Sequence, residues 1–396
     1  MRWRCLLAAR RARPIAPRRH SDGSYAAVVS SPPSSDKTAT SVPKWAVLGT
    51  VSRRVRTLLA AGALFLVLLI LATTLPVPYV VLSPGPTYNT LGTYQVEGKQ
   101  QSIIGIIGTS PKKTTGNLNL TTVSYSTSSL TVFDALSAWL QSDEVVVPRS
   151  SLFPPGQSSD QVNANNTAEF TESQDSATVA ASCQLGYPKA FGVQSVIGRG
   201  AAHGILHPTD ILRTLDGKPA NSADRLTAFL ARDKPGTKVT LGITRNGKAK
   251  TVRITLGPPP KGRGGGSIGV VVGPVCQPPF TVDLGLANQI GGPSAGLMFA
   301  LGIIDKVGKV DLTKGRFVAG TGTINADGTV GPIGGIALKM IAARKAGATV
   351  FLAPAGNCSD VKGAIPGGLD VVKVDTLKGA VSDLEAIEKG QAVPHC

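Results

Sequence analysis

An uncharged apolar segment is the strongest pattern along the chain. No charged residue occurs between Arg56 and Glu97, and Leu58–Leu75 reads "LLAAGALFLVLLILATTL". At roughly 1.5 Å per residue, a helix that continues one turn past Leu75 crosses a bilayer core of about 30 Å. This pattern predicts a membrane anchor over residues 57–81.

Shorter alternations of apolar and polar residues follow the anchor. The run "GNLNLTTVSY" (116–125) alternates as a strand does, whereas "TVFDALSAWLQ" (131–141) and "TESQDSATVAASCQLGY" (171–187) have helical spacing. Between those two helices, "RSSLFPPGQSSDQVNANN" is rich in Pro, Gly and Ser and predicts a loop over residues 149–166.

Residues 187–257 have the pattern of a separate module. A strand "FGVQSVIG" leads to a second strand "TDILRTLDGKPA", a helix "SADRLTAFLAR" and a hairpin "KVTLGITRNGKAKTVRITL". This order resembles a PDZ domain of bacterial membrane-linked proteases. The resemblance implies a groove between the second strand and Ala223–Arg232 that binds an extended peptide, and we assign the peptide terminus to Phe191, Gly192 and Val193. A spacer without a ligand is the alternative.

The remaining pattern is that of a mixed core. "GPPPKGRGGGS" (257–267) predicts a linker, and beyond it strands such as "IGVVVGPV" alternate with helical runs up to about residue 390. Such alternation indicates an α+β or α/β core, of which we predict α+β.

The charge distribution sets the orientation of the anchor. Residues 1–56 contain twelve Lys or Arg and two Asp, and so carry +10 of the net charge of +17. Basic residues ahead of an apolar span favour a cytoplasmic N-terminus, here a disordered tail over residues 1–56, in a single-pass protein of the cell membrane. The part after about residue 82 is then extracytoplasmic. A cleaved signal peptide is the alternative, but no clean Ala-x-Ala site follows the apolar core.

The same distribution argues against a nucleic-acid partner, since no later segment combines Arg or Lys with aromatic residues. Cys183, Cys276, Cys358 and Cys396 fall in the outer part of the chain, where an oxidising compartment permits disulfides. Four cysteines allow three pairings, and the sequence selects none of them.

A candidate nucleophile lies at the start of a predicted helix. In "QIGGPSAGLMFA" (289–300), Ser294 follows a Gly-Gly-Pro turn, where the positive end of a helix suits an attacking oxygen. A plain helix N-cap is the alternative. The histidines occur in other segments, so the base falls to a lysine. In "GGIALKMIAARKAG", Lys339 shares a helix face with Ile336 and small apolar residues, where desolvation lowers a lysine pKa.

Three separated motifs together resemble the Ser-Lys proteolytic domain of the Lon proteases. "GGPSAG", "AGTGTI" and "VGPIGGIALK" occur in that order, and Lys339 follows Ser294 by 45 positions. The resemblance implies Ser294 as nucleophile, Lys339 as general base and later general acid, and Thr321 as the residue that orients the amine. Free N–H groups around Gly291, Gly292 and Ser294 are candidates to bind the oxyanion.

Two positions depart from that family. Gly291 stands where many ATP-dependent members have Asp, and Thr323 stands where they have Glu. The resemblance places the PDZ-like module (187–257) as an insertion in a protease domain split into residues 88–186 and 262–390. The whole arrangement resembles the membrane-anchored Lon-like PDZ proteases of Gram-positive bacteria.

The sequence therefore predicts a membrane-anchored serine endopeptidase that cleaves extracytoplasmic or membrane-associated proteins and recognises them through its PDZ-like module. We expect it to work without ATP, cofactor or metal. "GITRNGKA" imitates a phosphate-binding loop, but Ala249 replaces the required Ser or Thr. The expected partners are protein or peptide substrates and the membrane, with a homo-oligomer left open. A proteolytically inactive PDZ adaptor is the alternative function.

Overall fold

The computed structural model of this chain describes residues 52–96, 98–126, 128–198, 200–286 and 290–396. Most of the predicted tail, residues 1–51, lies outside the described residues. Helix α1 (Arg53–Thr74) has 22 residues and is apolar and long enough to cross a membrane, although a signal sequence has the same properties. It begins inside the predicted tail and ends before residue 81, because Pro76 has no N–H to continue a helix.

The rest of the described chain combines helices and strands, which confirms the predicted α+β class. Its further helices are α2 (Val132–Trp139), α3 (Ser159–Gln184), α4 (Ala223–Leu230), α5 (Gly296–Val307), α6 (Ile336–Lys345), α7 (Cys358–Val361) and α8 (Leu377–Glu388). Its strands are β1 (Pro76–Val77), β2 (Tyr79–Asn89), β3 (Thr93–Val96), β4 (Lys99–Ser102), β5 (Ile104–Ile107), β6 (Asn117–Tyr125), β7 (Leu130–Thr131), β8 (Val145–Pro148), β9 (Lys189–Val196), β10 (Ile211–Leu215), β11 (Lys218–Pro219), β12 (Lys238–Arg245), β13 (Lys248–Thr255), β14 (Val270–Cys276), β15 (Thr281–Leu284), β16 (Phe317–Gly320), β17 (Thr323–Ile324), β18 (Val330–Gly331), β19 (Val350–Pro354) and β20 (Asp370–Val374).

A six-stranded mixed sheet with the order β20-β19-β16-β6-β2-β8 forms the centre of the larger domain. The strands β20, β19, β16 and β6 are parallel, and β2 is antiparallel to both of its neighbours. The pairing of β16 with β6 ends at Gly320 and Leu120, so β6 continues to Tyr125 without a described partner on that side.

The two faces of the mixed sheet carry different helices. Leu352 of β19 packs in the core that contains α5, whereas its neighbours Phe351 and Ala353 pack in the core that contains α6. This alternation follows from the two-residue period of a strand. Helices α5 and α6 therefore lie on opposite faces of one sheet.

Helix α3 packs against α5, where Phe170 and Phe299 make an edge-to-face contact with ring centroids 5.7 Å apart. The predicted loop over 149–166 is wrong in its second half, because α3 starts at Ser159. Ser158 caps the helix by accepting from the N–H of Gln161, and the Gln161 side chain accepts from the N–H of Ser158. This reciprocal capping starts a helix even in a polar segment.

A second, antiparallel sheet has the order β13-β12-β10-β9-β14, and β11 also pairs with β10. It contains the predicted strands and hairpin of the module, and α4 starts after the cap residue Ser222 as expected. Strand β14, which we assigned to the second part of the protease domain, extends this sheet by pairing with β9. We keep the predicted domain limits as a proposal, with the return to the larger domain moved to about residue 276.

The predicted linker 257–267 is a closed loop rather than an extended connection. Gly257 and Ser267 exchange two backbone hydrogen bonds of 2.8 and 3.0 Å, and the N–H of Gly266 donates to the carbonyl of Leu230 at the end of α4. The loop is thereby held against α4, beside the start of β14.

Two disulfides select one of the three pairings that the sequence left open. Cys183 at the end of α3 bonds Cys276 at the end of β14, and Cys358 bonds Cys396. The first disulfide joins the point where the chain leaves α3 for the antiparallel sheet to the point where it returns.

Candidate active site

A tight turn presents Ser294 at the N-terminus of α5. Gly292 has a φ of 81°, a left-handed conformation that favours glycine, and its N–H donates to the carbonyl of Asn166 on α3. The carbonyl of Pro293 accepts from the hydroxyl of Ser173, also on α3, at 2.8 Å. Helix α3 thus holds the turn before Ser294 through two contacts, one to the N–H of Gly292 and one to the carbonyl of Pro293.

Lys339 reaches Ser294 from the opposite face of the mixed sheet. It is the fourth residue of α6, its fractional exposure is 3%, and its Nζ is 2.7 Å from Ser294 Oγ. The two side chains meet beyond the point where β16 and β6 stop pairing, so no strand separates them there. Burial lowers the pKa of Lys339 to about 7, because desolvation disfavours the charged ammonium.

Thr321, the first residue after β16, is hydrogen-bonded to the lysine amine. Its Oγ1 accepts from Lys339 Nζ at 2.9 Å and donates to the carbonyl of Ser294 at 3.0 Å. Because the hydroxyl proton is directed to Ser294 O, only an oxygen lone pair faces the amine. This arrangement directs one N–H of the amine to Thr321 and leaves its lone pair available to Ser294 Oγ.

The backbone around Ser294 supplies a site for negative charge. The N–H of Gly292 is already bonded to Asn166, so this oxyanion candidate from the sequence is occupied. Within the residues that the structure describes, the N–H groups of Gly291 and Ser294 have no acceptor. The Ser294 N–H also lies at the positive end of the buried helix α5, which adds a favourable dipole.

Close packing against α3 explains why position 291 is a glycine, and the sequence did not show this contact. A Cβ added at this position would come within 2.9 Å of the Cβ of Asn166. An aspartate, which the ATP-dependent proteases that this chain resembles often have there, therefore requires α3 or the turn before Ser294 to shift. Asn166 was missed because residues 149–166 were assigned to a loop, and the S-x-x-Q capping pattern at Ser158–Gln161 was the available signal. Ser173 was placed in a predicted helix, but helical spacing does not show what its hydroxyl contacts.

Two cavities share Ser294. One, of about 830 Å³, is lined by residues 121–125 of β6, by Asn163, Asn166 and Phe170 of α3, and by Lys339. The other, of about 330 Å³, is lined by Pro293, Thr323 and residues 332–334. The unpaired side of β6 beyond Leu120 lies in the larger cavity, which gives an extended peptide a strand edge next to the serine.

The peptide-binding residues predicted in the module lie on an internal strand. Phe191, Gly192 and Val193 are in β9, which pairs with β14 on one side and with β10 on the other, and Val193 is fully buried. Strand addition needs a free edge, so these residues do not offer one. In the described part of the sheet, β13 and β14 are the two edge strands, and Val271 of β14 is 41% exposed.

The low pKa of Lys339 predicts the pH dependence of any acylation at Ser294. Only the neutral amine accepts the serine proton, so the rate is expected to rise about tenfold per pH unit below the pKa and to level off above about pH 7. The measurement is the rate of labelling by a serine-directed phosphonate across this range. A rate that still climbs as steeply near the pKa of about 10.4 of a free lysine would contradict a desolvated base.

Comparison with known proteins agrees with this geometry. Residues 287–384 match the Lon protease (S16) C-terminal proteolytic domain, and residues 160–256 match the PDZ domain. Lon protease 2 of Bacillus subtilis is 34% identical over 95 residues, which cover 24% of this chain and 17% of that protein. Lon protease of Heliobacterium modesticaldum is 41% identical over 71 residues, which cover 18% of this chain and 8% of that protein.

The module has its own relatives. The periplasmic pH-dependent serine endoprotease DegQ of Escherichia coli is 40% identical over 82 residues, which cover 20% of this chain and 18% of that protein. The crystal structure of the PDZ domain of an SdrC-like protein from Listeria monocytogenes is 24% identical, with a TM-score of 0.20, and its match covers 21% of this chain and 86% of that structure.

The chain spans less than a fifth of the length of these curated relatives. Each match is therefore to a domain rather than to a whole protein. Two segments of the chain thus match known domains, a PDZ domain and the Lon protease (S16) C-terminal proteolytic domain.

Proposed function

We propose that this protein is a serine endopeptidase that uses Ser294 and Lys339 as a catalytic dyad and needs no ATP. The observation that carries the proposal is the 2.7 Å approach of a buried lysine amine, with a pKa of about 7, to the hydroxyl of Ser294. A structural lysine at a helix N-terminus would be expected to remain charged and exposed. Here the amine is suited to accept a proton.

The proposed reaction follows from these contacts. The neutral amine of Lys339 takes the proton of Ser294 Oγ while this oxygen bonds to the substrate carbonyl carbon. The resulting oxyanion accepts from the N–H of Ser294, and the ammonium of Lys339 then protonates the departing amine as the C–N bond breaks. Water repeats the sequence on the ester, with its proton passing to Lys339, and the serine leaves with a proton.

The shape of the site favours cleavage within a chain. A substrate that pairs with the free side of β6 fills the larger cavity on one side of its scissile bond. The second cavity at Ser294 has room for the residues on the other side of that bond. Both sides of the serine can thus hold peptide, as an endopeptidase requires.

Independence from ATP is proposed on the structure of the "GITRNGKA" segment. These residues form the end of β12, a two-residue turn at Asn246 and Gly247, and the start of β13, with Arg245 paired to Lys248. A phosphate-binding loop of this type leads instead into a helix N-terminus. The segment therefore provides a hairpin rather than a nucleotide site.

The proposed location is the cell membrane, with α1 as a retained anchor, the N-terminus in the cytoplasm and the protease domain outside. The two disulfides support this location, since such bonds persist in oxidising compartments. We propose extracytoplasmic or membrane-associated proteins as substrates.

The test of the function is hydrolysis of an internally quenched peptide by the purified full chain. We expect cleavage at an internal bond, at the same rate with Mg-ATP and after enzymatic removal of ATP. Ser294→Ala should reduce the rate to background, because no other hydroxyl occupies its position. Absence of cleavage and of phosphonate labelling in the folded wild-type protein would instead favour the inactive adaptor.

Substrate recognition by the PDZ domain is proposed at the free edge of β14, beside α4. The loop held by Gly257, Ser267 and Gly266 lies at the start of this edge. The N–H groups of Gly264 and Gly265 in this loop have no acceptor among the described residues and suit a peptide carboxylate. We therefore expect peptides with a free, apolar C-terminus to bind.

The matched control is the same peptide with an amidated C-terminus, which should bind at least about tenfold more weakly because it lacks the charge. Fluorescence anisotropy with the full Ser294→Ala chain measures both affinities without cleavage. Equal affinity for the acid and the amide would show that this loop does not bind the terminal carboxylate.

A further inference from the structure

Helix α2 has an exposed apolar face. Phe133, Leu136, Trp139 and the C-cap residue Leu140 are 54%, 54%, 72% and 79% exposed. Their spacing places them along one side of the helix, whereas Ala138 faces the protein interior and is buried. A run of four large apolar side chains on one surface helix is unusual for a protein surface that contacts only water.

The position of α2 along the fold places the start of this helix near the end of α1. Strand β1 pairs with β7, with Pro76 opposite Thr131, and Thr131 is the N-cap of α2. Pro76 follows Thr74, the last residue of α1, by two residues. Two Cα steps of about 3.8 Å and one strand pair of about 5 Å place the start of α2 within about 13 Å of the end of α1.

A second contact joins the same region to the chain that leaves α1. The N–H of Arg149, directly after β8, donates to the carbonyl of Pro78 at 2.9 Å, and Tyr79 beside it is 43% exposed. Arg149 also stacks over the ring of Phe153 at 4.5 Å. Aromatic and basic side chains of this kind are typical of the interface between lipid headgroups and acyl chains.

We infer that α2 lies in the membrane interface, with Phe133, Leu136, Trp139 and Leu140 inserted among the lipids of the leaflet that faces the protease domain. The inference rests on the proposed function, in which α1 is retained as an anchor. Anchoring restricts the chain just after Thr74 to the bilayer surface, and the β1–β7 pairing brings α2 to the same level. The bilayer is thus the partner already in reach of this face.

Membrane docking of α2 has a consequence for the substrate. Strand β6, whose free side lines the larger cavity, ends at Tyr125, and β7 begins five residues later. The Tyr125 end of the cleft is therefore held near the bilayer, in a fixed orientation that one flexible anchor alone would not impose. Membrane-proximal segments of other anchored proteins are the substrate class that reaches this end.

The fluorescence of Trp139 tests the inference directly. Trp3→Phe and Trp45→Phe leave Trp139 as the one tryptophan of the full chain. This protein is reconstituted in phosphatidylcholine–phosphatidylglycerol vesicles whose acyl chains carry bromine near the headgroup. Insertion by the usual 5–10 Å brings the indole to the bromines, so we expect it to lose roughly half or more of its emission relative to unbrominated vesicles.

Two variants provide the comparison. Phe133→Gln, Leu136→Gln and Leu140→Gln together keep Trp139 but remove its apolar neighbours, so quenching should fall several-fold. Val310→Gln changes an exposed apolar residue on the loop after α5 and should leave the quenching unchanged. Flotation of each protein with the vesicles is measured in the same samples.

The outcomes separate the inference from the proposed anchoring. Failure of the wild-type chain to float would contradict the anchor, and with it the basis of the inference. Flotation without quenching of Trp139 would overturn the inference and leave the anchor standing. If Trp139 is also shielded from aqueous iodide in that case, a protein surface such as a second copy of the chain covers the face, and the inference is again wrong.

Discussion

Replacement of Lys339 by arginine is expected to abolish peptide hydrolysis, with a loss of roughly a thousandfold or more in kcat/KM. Arginine retains the positive charge but stays protonated at any usable pH, so it cannot accept the proton of Ser294. Lys339→Ala should be equally inactive because it removes the base. The comparison thus separates a proton acceptor from a partner that only supplies charge.

Lys345→Arg is the matched control for this variant. Lys345 lies on the same helix, α6, but its side chain is exposed and forms an ion pair with Asp143. Exchange of one exposed cation for the other should leave kcat/KM unchanged. Near-normal hydrolysis by a folded Lys339→Arg protein, with its thermal unfolding temperature retained, would remove Lys339 from the mechanism.

Removal of the Cys183–Cys276 disulfide is expected to produce the largest loss of stability. The bond joins residues 93 positions apart, and loop-closure entropy assigns a crosslink of that length about 4–5 kcal/mol of the free energy of unfolding. Cys183→Ala with Cys276→Ala should show this loss in urea unfolding of the full chain in detergent. The same substitutions at Cys358 and Cys396, which are 38 positions apart, should cost about 0.8 kcal/mol less.

Because of where the Cys183–Cys276 disulfide lies, its removal should also change local hydrogen exchange. Cys183 and Cys276 lie where the chain leaves and re-enters the larger domain, so their bond keeps the antiparallel sheet attached at one point. Without it, hydrogen exchange at the C-terminal end of α3 should increase. A loss below about 1 kcal/mol, or free thiols in protein isolated from the cell envelope, would contradict both the bond and the proposed oxidising location.

Local sequence patterns explain which residues of the site could be identified from the sequence. Ser294 and Lys339 stand in short motifs that resemble the Ser-Lys proteolytic domain of the Lon proteases, and Lys339 also lies on an apolar helix face. The capping residues of α3, in contrast, were hidden in a polar segment. As a result Asn166, which accepts from the N–H of Gly292, was not recognised. Ser173 was in a predicted helix, but its contact with the carbonyl of Pro293 is a long-range one that helical spacing does not show.

Strand order was the other feature that pattern alone did not provide. Alternation predicts that Phe191–Val193 form a strand, and they do, but it does not say which strands stand beside it. The neighbour β14 comes from about 75 residues later in the chain. For that reason the peptide terminus was assigned to Phe191–Val193 and the groove to the second strand, although both strands lie inside the sheet.

The sequence by itself determined the features that depend on neighbouring residues: an apolar helix in the predicted anchor segment 57–81 and the α+β class. It also singled out Ser294 and Lys339 as candidates. Only the tertiary structure decided the pairing of the cysteines, the use of the Gly292 N–H by Asn166, and the exposed face of α2 beside the end of the anchor. The physical reason is the distance along the chain over which each feature is determined. Helical and strand periodicity is local, whereas the meeting of Ser294 and Lys339 depends on two helices from opposite faces of one sheet, at the point where two of its strands separate.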